Sequence, residues 1–381
     1  MKILFVLENY FPHIGGVEVL FKNLCEGLAK RGHNVNLVTH RIKGTKRYEI
    51  INKVHIYRVD CFHNRYAFTF FSIPKVLKLA KKADIIHTTT FNGAPPAWIA
   101  ARLRRIPVVI TVHEVWIGRW SALTGMNRVS AGIHNLLERL IYLVRYNRYI
   151  CVSESTKNSL IKIQKDVSKI TVIYNGVEYE HFNPKKYKEK AEKIRNSLDL
   201  KKKFVYLCYG RPGVSKGIEY AIGAVPYISK KIENSRMLLI LSRDSAYRKR
   251  YEFMMDLIDK LNIKDKIILL EPRSFKELPG YLMSADCVVV PSIVEGFGYT
   301  AAEACAMGKS VVASDTTSLP EVVSGKYVLV EPRNPEAIAN GVVKVYKKKV
   351  RDSGSKRFYW KSNIEKTEKL YESFINKTES L

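Results

Sequence analysis

The chain has 381 residues, 46% of them hydrophobic, which is enough for two domains with separate cores. Its formal charge of +28 points to an anionic partner such as phosphate, nucleic acid or an anionic membrane surface. A generally lysine-rich surface gives the same number, so charge alone selects no function; no apolar run reaches the roughly 18 residues of a membrane-spanning helix.

The opening stretch MKILFVLENYFP is interrupted by Glu8 and reads as a first buried strand rather than a signal peptide. VEVLFKNLCEGLAKRGH then has helical spacing and a glycine-containing stop, at which His33 reads as a cap. NVNLVTH, VHIYRVD, ADIIHTT, PVVITVHE and RYICVSE are further strands, with helical segments between several of them. Ile133, Leu136, Leu137, Leu140, Ile141 and Val144 form one apolar helical stripe. NPKKYKEKAEKIRNSLDLKKK is charged and poor in apolar residues, and reads as a connection. A second alternation follows, with strands in KKFVYLCYG, MLLILS, KIILLE, CVVVPS and SVVAS and a helix from about Tyr299. The terminal RFYWKSNIEKTEKLYESFI is amphipathic. The fold class is therefore α/β, two doubly wound Rossmann-like domains facing across a cleft. The six cysteines form no C-x-x-C pair, which suits reduced thiols and a cytoplasmic setting, and leaves no zinc motif.

Ligands of open parallel sheets sit outside the carboxyl ends of the strands. At the first such end stand Gly15 and Gly16, which let the backbone approach a ligand or simply make a tight turn; a G-x-G-x-x-G fingerprint is absent. His113 ends PVVITVHE, as a site residue or as a satisfied core histidine, whereas His87 reads as structural. In the second half, Gly210-Arg211-Pro212-Gly213-Val214-Ser215-Lys216-Gly217 leads from strand to helix. It is not a Walker A loop, but Arg211 and Lys216 suit a diphosphate; two surface cations are the plainer alternative.

Downstream, VEGFGYTAAEACAMGKSVVASD places Glu295 just after a strand, then Gly296, Phe297 and Gly298, then Tyr299 and Glu303 at the start of a helix. A helix N-terminus beside two cations makes an anion site. One carboxylate can take the vicinal diol of a ribose and the other the hydroxyls of a sugar, with phosphates between. Dipole-complementing acids explain one glutamate readily, and both with the Gly-Phe-Gly poorly.

These residues, in this order, resemble a retaining glycosyltransferase of family 4 with the GT-B architecture. The resemblance covers nearly the whole chain: GGVEVLFKNLCEGLAKRGHNV, VIYNGVEYEHFNP, GRPGVSKG, EGFGYTAAEACAMGKSVVASD, SLPEVV and the terminal RFYWKSNIEKTEKLYESF all match. It implies an acceptor-binding domain over 1–180, a nucleotide-sugar donor domain over 181–357, and a terminal helix 358–381 packing back on the first. It also implies that Arg211 and Lys216 hold the donor diphosphate, Glu303 the ribose and Glu295 the transferred sugar. Main-chain groups of Phe297, Gly298 and Tyr299 would meet sugar or phosphate, and His113 the sugar near its reacting carbon. Gly15 and Gly16 would make room for phosphate or acceptor. No metal and no further cofactor would be needed. Where relatives often carry Gly-Gly before the Pro-Glu, this chain has Thr317-Ser318.

The expected function is transfer of a hexose or N-acetylhexosamine from a nucleotide-diphosphate sugar to a lipid-linked or glycan acceptor. Arg65–Phe71 and Trp116–Trp120, with Arg102, Arg104 and Arg105, read either as a patch resting on an anionic membrane surface, peripheral on the inner face of the cell membrane, or as core aromatics with scattered cations. The alternatives are a soluble sugar or polysaccharide synthase and a basic nucleic-acid-binding protein. The absence of a nucleic-acid motif speaks against the latter.

Overall fold

The computed structural model describes residues 1–13, 15–62 and 64–375. Part of the expected terminal helix, residues 376–381, lies outside them. The chain forms two compact units. One comprises 1–120, 126–176 and 358–381; the other comprises 121–125 and 177–357.

The first unit holds an eight-stranded sheet. Its strands are β1 (Lys2–Val6), β2 (Asn34–His40), β3 (Tyr48–Ile51), β4 (Val54–Val59), β5 (Ile85–Thr89), β6 (Val108–Val112), β7 (Arg148–Cys151) and β8 (Ile170–Val172). The order is β3-β4-β2-β1-β5-β6-β7-β8, parallel throughout except for the β3–β4 edge. β1, β5 and β6 are almost wholly buried Val, Ile, Leu and Thr. Strands covered on both faces need such continuous apolar runs. The last helix, Trp360–Ile375, belongs to this unit. Its Glu368 takes the guanidinium of Arg31 and the ring of His33, and its buried Tyr371 hydroxyl bonds His87 Nδ1. The His33 side chain therefore bridges to Glu368; only its backbone amide closes the first helix, on Leu28 O.

The second unit holds β9 (Phe204–Gly210), β10 (Ser235–Leu241), β11 (Ile267–Leu270), β12 (Cys287–Val290), β13 (Ser310–Ser314), β14 (Lys326–Val330) and β15 (Arg351–Asp352). Their order is β11-β10-β9-β12-β13-β14-β15, and only the β14–β15 edge is antiparallel. The sheet changes direction of growth between β9 and β12, so the loops leaving these two neighbours diverge and open a crevice.

One expectation needs correction. The charged stretch after Phe182 is not a bare connection. It contains the helix Lys188–Ser197, which buries Ala191 and Ile194, while Arg195 bonds the carbonyls of Ser284, Leu200 and Lys203. A face two residues wide is enough for a helix wedged into its own unit. The helix Arg128–Leu143 buries Ala131, Glu138, Ile141 and Tyr142, while Ile133, Leu136, Leu137 and Leu140 are exposed. Most of the apolar stripe read from the sequence thus faces outward, with Ile141 turned in. Among the described residues no helix is long and apolar enough to cross a membrane.

Candidate active site

In the second unit, β9 ends at Gly210 and the chain passes through a short turn, Val214–Lys216, into the helix Ile218–Lys231. Gly217 makes that entry possible. Its φ is +59°, and a Cβ there would lie 2.3 Å from the Pro291 carbonyl oxygen. The turn is pinned to the neighbouring loop, because Ser215 O accepts from the amides of Ile293 and Val294 at 2.8 and 3.3 Å. Lys216 thereby meets the loop after β12, and its Nζ lies 2.7 Å from Glu295 Oε1.

Glu295 is nearly buried, at 7% exposure. Ser292 Oγ donates to the same carboxylate oxygen at 2.8 Å. Its backbone is held as well: its amide donates to Thr317 Oγ1 at 3.0 Å, and its carbonyl accepts from Ser318 Oγ at 3.0 Å. Thr317 adopts φ +46°, a left-handed conformation in which glycine is at ease. A threonine holds that conformation here, and its hydroxyl accepts from the Glu295 amide.

Gly296 and Phe297 follow in the loop, with Phe297 buried against the Tyr299 ring at 5.2 Å. Gly298, at φ +93°, starts the helix Tyr299–Ala306, so the positive end of its dipole lies in the crevice. Glu303, one turn in, accepts from the Tyr209 hydroxyl at 2.7 Å. Glu303 is packed on most sides. Burial pushes its carboxyl up to about 7, against the lowering effects of the Tyr209 bond and of Lys216; Glu178 raises it further. Arg211 is exposed, with its guanidinium 6.0 Å from the centre of the Tyr247 ring. The structure thus brings Lys216 onto Glu295 and sets Glu303 on the same rim, with Arg211 turned to Tyr247.

In the first unit, Gly15 is extended and caps the first helix, which begins at Gly16. His113 leaves the carboxyl end of β6. Its ring stands 6.2 Å from that of Phe21, and its Nε2 is buried without a hydrogen-bond partner. Burial lowers its pKa to about 4, with Glu18 pulling the other way, so the imidazole is neutral at pH 7. His87 is fully buried and both ring nitrogens are engaged, by the Tyr371 hydroxyl and by Thr111 Oγ1. It is structural.

Sequence reasoning missed Tyr209, Ser292 and Thr317 as supports of the two glutamates. It also missed Glu8, a nearly buried carboxylate beyond β1 that takes Arg65 Nε at 2.7 Å and Asn92 Nδ2 at 2.7 Å. A carboxylate directly after a buried strand was the available signal. Trp116 and Trp120 are not a surface pair. Trp120 is buried, and Glu138 takes the Trp116 amide at 2.9 Å and the Trp120 indole at 2.7 Å.

The description "Glycosyltransferase Family 4" fits residues 14–181, and "Glycosyl transferases group 1" fits 190–367. The chain is 33% identical over 363 residues to an uncharacterized glycosyltransferase of Methanocaldococcus jannaschii, covering 91% of this chain and 89% of that one. It is 28% identical over 340 residues to the alpha-monoglucosyldiacylglycerol synthase of Streptococcus pneumoniae, covering 86% and 74%. Among solved structures, Anabaena HepE in complex with UDP matches in fold with a TM-score of 0.78 at 18% identity, over 98% of this chain and all of that one (100%).

Proposed function

The chain belongs to glycosyltransferase family 4, with two Rossmann-like domains, and on that footing we propose that it transfers a hexose or N-acetylhexosamine from a nucleotide-diphosphate sugar. The acceptor is a lipid-linked or glycan hydroxyl, transfer proceeds with retention and without a metal ion, and it takes place at the cytoplasmic face of a membrane. One observation carries this reading: Lys216, from the glycine loop after β9, is paired with Glu295, from the loop after β12, across the crevice of the sheet.

Each residue has a chemical task. Lys216 and Arg211 neutralise the charge that gathers on the departing diphosphate, and the helix end at Gly298 adds its dipole. Glu303, once ionised, accepts the two hydroxyls of the ribose. Glu295, oriented by Ser292 and Lys216, accepts sugar hydroxyls whose bonds strengthen as the ring becomes oxocarbenium-like. The neutral His113 imidazole can hydrogen-bond the sugar without adding positive charge beside an oxocarbenium. With Glu295 already engaged by Lys216 and Ser292, we assign retention to same-face attack, in which the donor phosphate takes the acceptor's proton.

Thermal shifts with UDP, GDP and ADP on wild type and Glu303→Ala test the donor site. One diphosphate should stabilise the wild type and lose its effect in the variant; no shift with any of the three overturns the reading. Activity retained in excess EDTA is the expected result for metal independence. An inverted azide adduct from Glu295→Ala would replace same-face attack with a covalent intermediate.

A further inference from the structure

A second basic site lies in the first unit, at the edge of its sheet opposite His113. A cavity of about 570 Å³ is lined by Arg102, Arg145, Arg148, Lys169, Ser168 and Phe374, among others; none of its lining residues is acidic, and Asp166, outside the lining, pairs with Lys169 at 2.8 Å, which leaves the three arginines as its main cations. It sits at the amino edge of the sheet. Arg148 opens β7, Lys169 directly precedes β8, and Arg102 lies in the last turn of the helix leading to β6. The parallel strands put His113 at the opposite edge. The cavity is built rather than incidental. Arg148 is fixed by a bond to Ser168 O at 2.6 Å and stands 5.8 Å from the Phe374 ring, and its Nε is buried without a partner. Arg102 is fixed on the Arg145 carbonyl. Fixed guanidinium forks suit the oxygens of a phosphate.

The cavity also has a greasy neighbour. The helix Arg128–Leu143 ends two residues before Arg145. Val129, Ile133, Leu136, Leu140 and Leu143, spaced 4-3-4-3, line its outer face and are 48–75% exposed. They make a strip about 21 Å long. At its other flank the Tyr66 hydroxyl is 3.2 Å from His134 Nε2, and Phe70 and Phe71 lie bare beyond it. The helix's one carboxylate, Glu138, is buried, so its exposed charges are Arg128 and Arg139. Arg102, Arg104, Arg105 and Arg145 are exposed beside it. Two copies of so basic a face repel each other, whereas an anionic lipid surface offers both acyl chains and negative charge.

We propose that this face docks on an anionic bilayer, with the cavity of Arg102, Arg145, Arg148 and Lys169 taking a lipid phosphate and the Val129–Leu143 strip lying among the acyl chains. This deepens the acceptor half of the function proposed above and replaces the Trp116–Trp120 segment as the membrane-facing element. Within the first unit the cavity lies at the sheet edge opposite His113, so a bound lipid there holds the enzyme on its surface without occupying the His113 end of the sheet.

The test is sedimentation with vesicles, read without donor or turnover. Wild type should pellet with phosphatidylglycerol–phosphatidylcholine vesicles and not with phosphatidylcholine alone. Arg102→Ala with Arg145→Ala should weaken binding by about fivefold per arginine. Leu136→Gln, Leu140→Gln and Leu143→Gln together should abolish it. All five changed residues are exposed, and an unchanged nucleoside-diphosphate thermal shift certifies the fold and separates this proposal from the donor-site reading. Three results overturn it: no pelleting; equal pelleting on neutral and anionic vesicles; or a wild-type dimer that the leucine substitutions dissociate, which would make a second copy the occupant. Protection by inorganic phosphate or glycerol phosphate equal to that by vesicles, untouched by the leucine changes, would assign the cavity to a free phosphate and likewise overturn the docking.

Discussion

Lys216 reaches 79 residues along the chain to place its ammonium 2.7 Å from Glu295, and that one ion pair closes the glycine loop onto the loop after β12. Glu295 is the more deeply buried partner. Lys216→Met should therefore cost about 2–3 kcal/mol of stability, and Glu295→Gln less, since the freed lysine can turn to water. The double variant should cost less than the sum of the two by about 1–2 kcal/mol. Chemical denaturation of the four proteins measures this. Transfer activity should fall about 100-fold or more in each single variant, because Lys216→Met takes a fixed cation from the departing phosphate and Glu295→Gln weakens the acceptor of the sugar hydroxyls.

Glu303 gives the donor site a pH signature. An ordinary glutamate ionises near 4.5, and this one holds its proton to about 7. The unfolded chain thus gives up the proton first. The protonated carboxyl favours the fold below about 7, and that advantage is lost as pH rises from about 4.5 through 7. A ribose diol needs the ionised form, so nucleoside-diphosphate affinity should rise between pH 6 and pH 8. In Glu303→Gln affinity should be lower and flat over that range. Isothermal titration at the two pH values decides the point.

His113 works in the opposite sense. Its pKa falls from 6.5 to about 4 on folding, so the unfolded chain takes up the proton first. Its neutral burial favours the fold fully above about 6.5, and this is lost as pH drops from there toward 4. His87 shifts in the same direction and is present in both proteins to be compared. The gap in melting temperature between wild type and His113→Gln should therefore narrow from pH 7 to pH 5.

Gly217→Ala should destabilise the second unit by about 2 kcal/mol or more. The new Cβ would press on the Pro291 carbonyl, and the residue would be left in a left-handed conformation. Because Ser215 and Lys216 precede it, the donor thermal shift should shrink with stability. Ala at Gly308 (φ +66°), which has open space around its position, controls for backbone conformation alone.

Thr317 separates two effects at one position. Thr317→Gly relieves the left-handed backbone and deletes the bond to the Glu295 amide, so the melting temperature should barely move. Thr317→Val keeps the strain and loses the bond, and should cost about 1 kcal/mol.

Strands whose apolar runs are covered on both faces were legible from sequence. NVNLVTH is β2 to the residue, and VVITV, CVVVPS and SVVAS lie where their composition put them. The edge strands β3, β8 and β15 were not. They are two to four residues long and partly exposed, so no periodicity marks them. β14 is longer, but KYVLV mixes buried and open positions. Glu295, Glu303 and Lys216 were legible as a set because a strand, glycines and charges adjoin in sequence. Tyr209 and Thr317 were not, because each acts on a partner more than twenty residues away. The outward facing of the Arg128–Leu143 stripe was not legible for a physical reason: periodicity reports that a helix has an apolar face, and says nothing of what covers it.

The last helix has a consequence for how the protein is made. Its Glu368 and Tyr371 complete Arg31, His33 and His87, residues translated at least 284 positions earlier. The unit translated first is therefore finished last, and until the helix Trp360–Ile375 is made it carries a buried histidine with an empty place beside it. A nascent chain stalled at residue 357 should show a protease-resistant second unit and a labile first one. The same dependence sets a rule for fragments: residues 1–176 should need the segment 358–381, supplied in trans or spliced on by a short linker, to hold a native sheet.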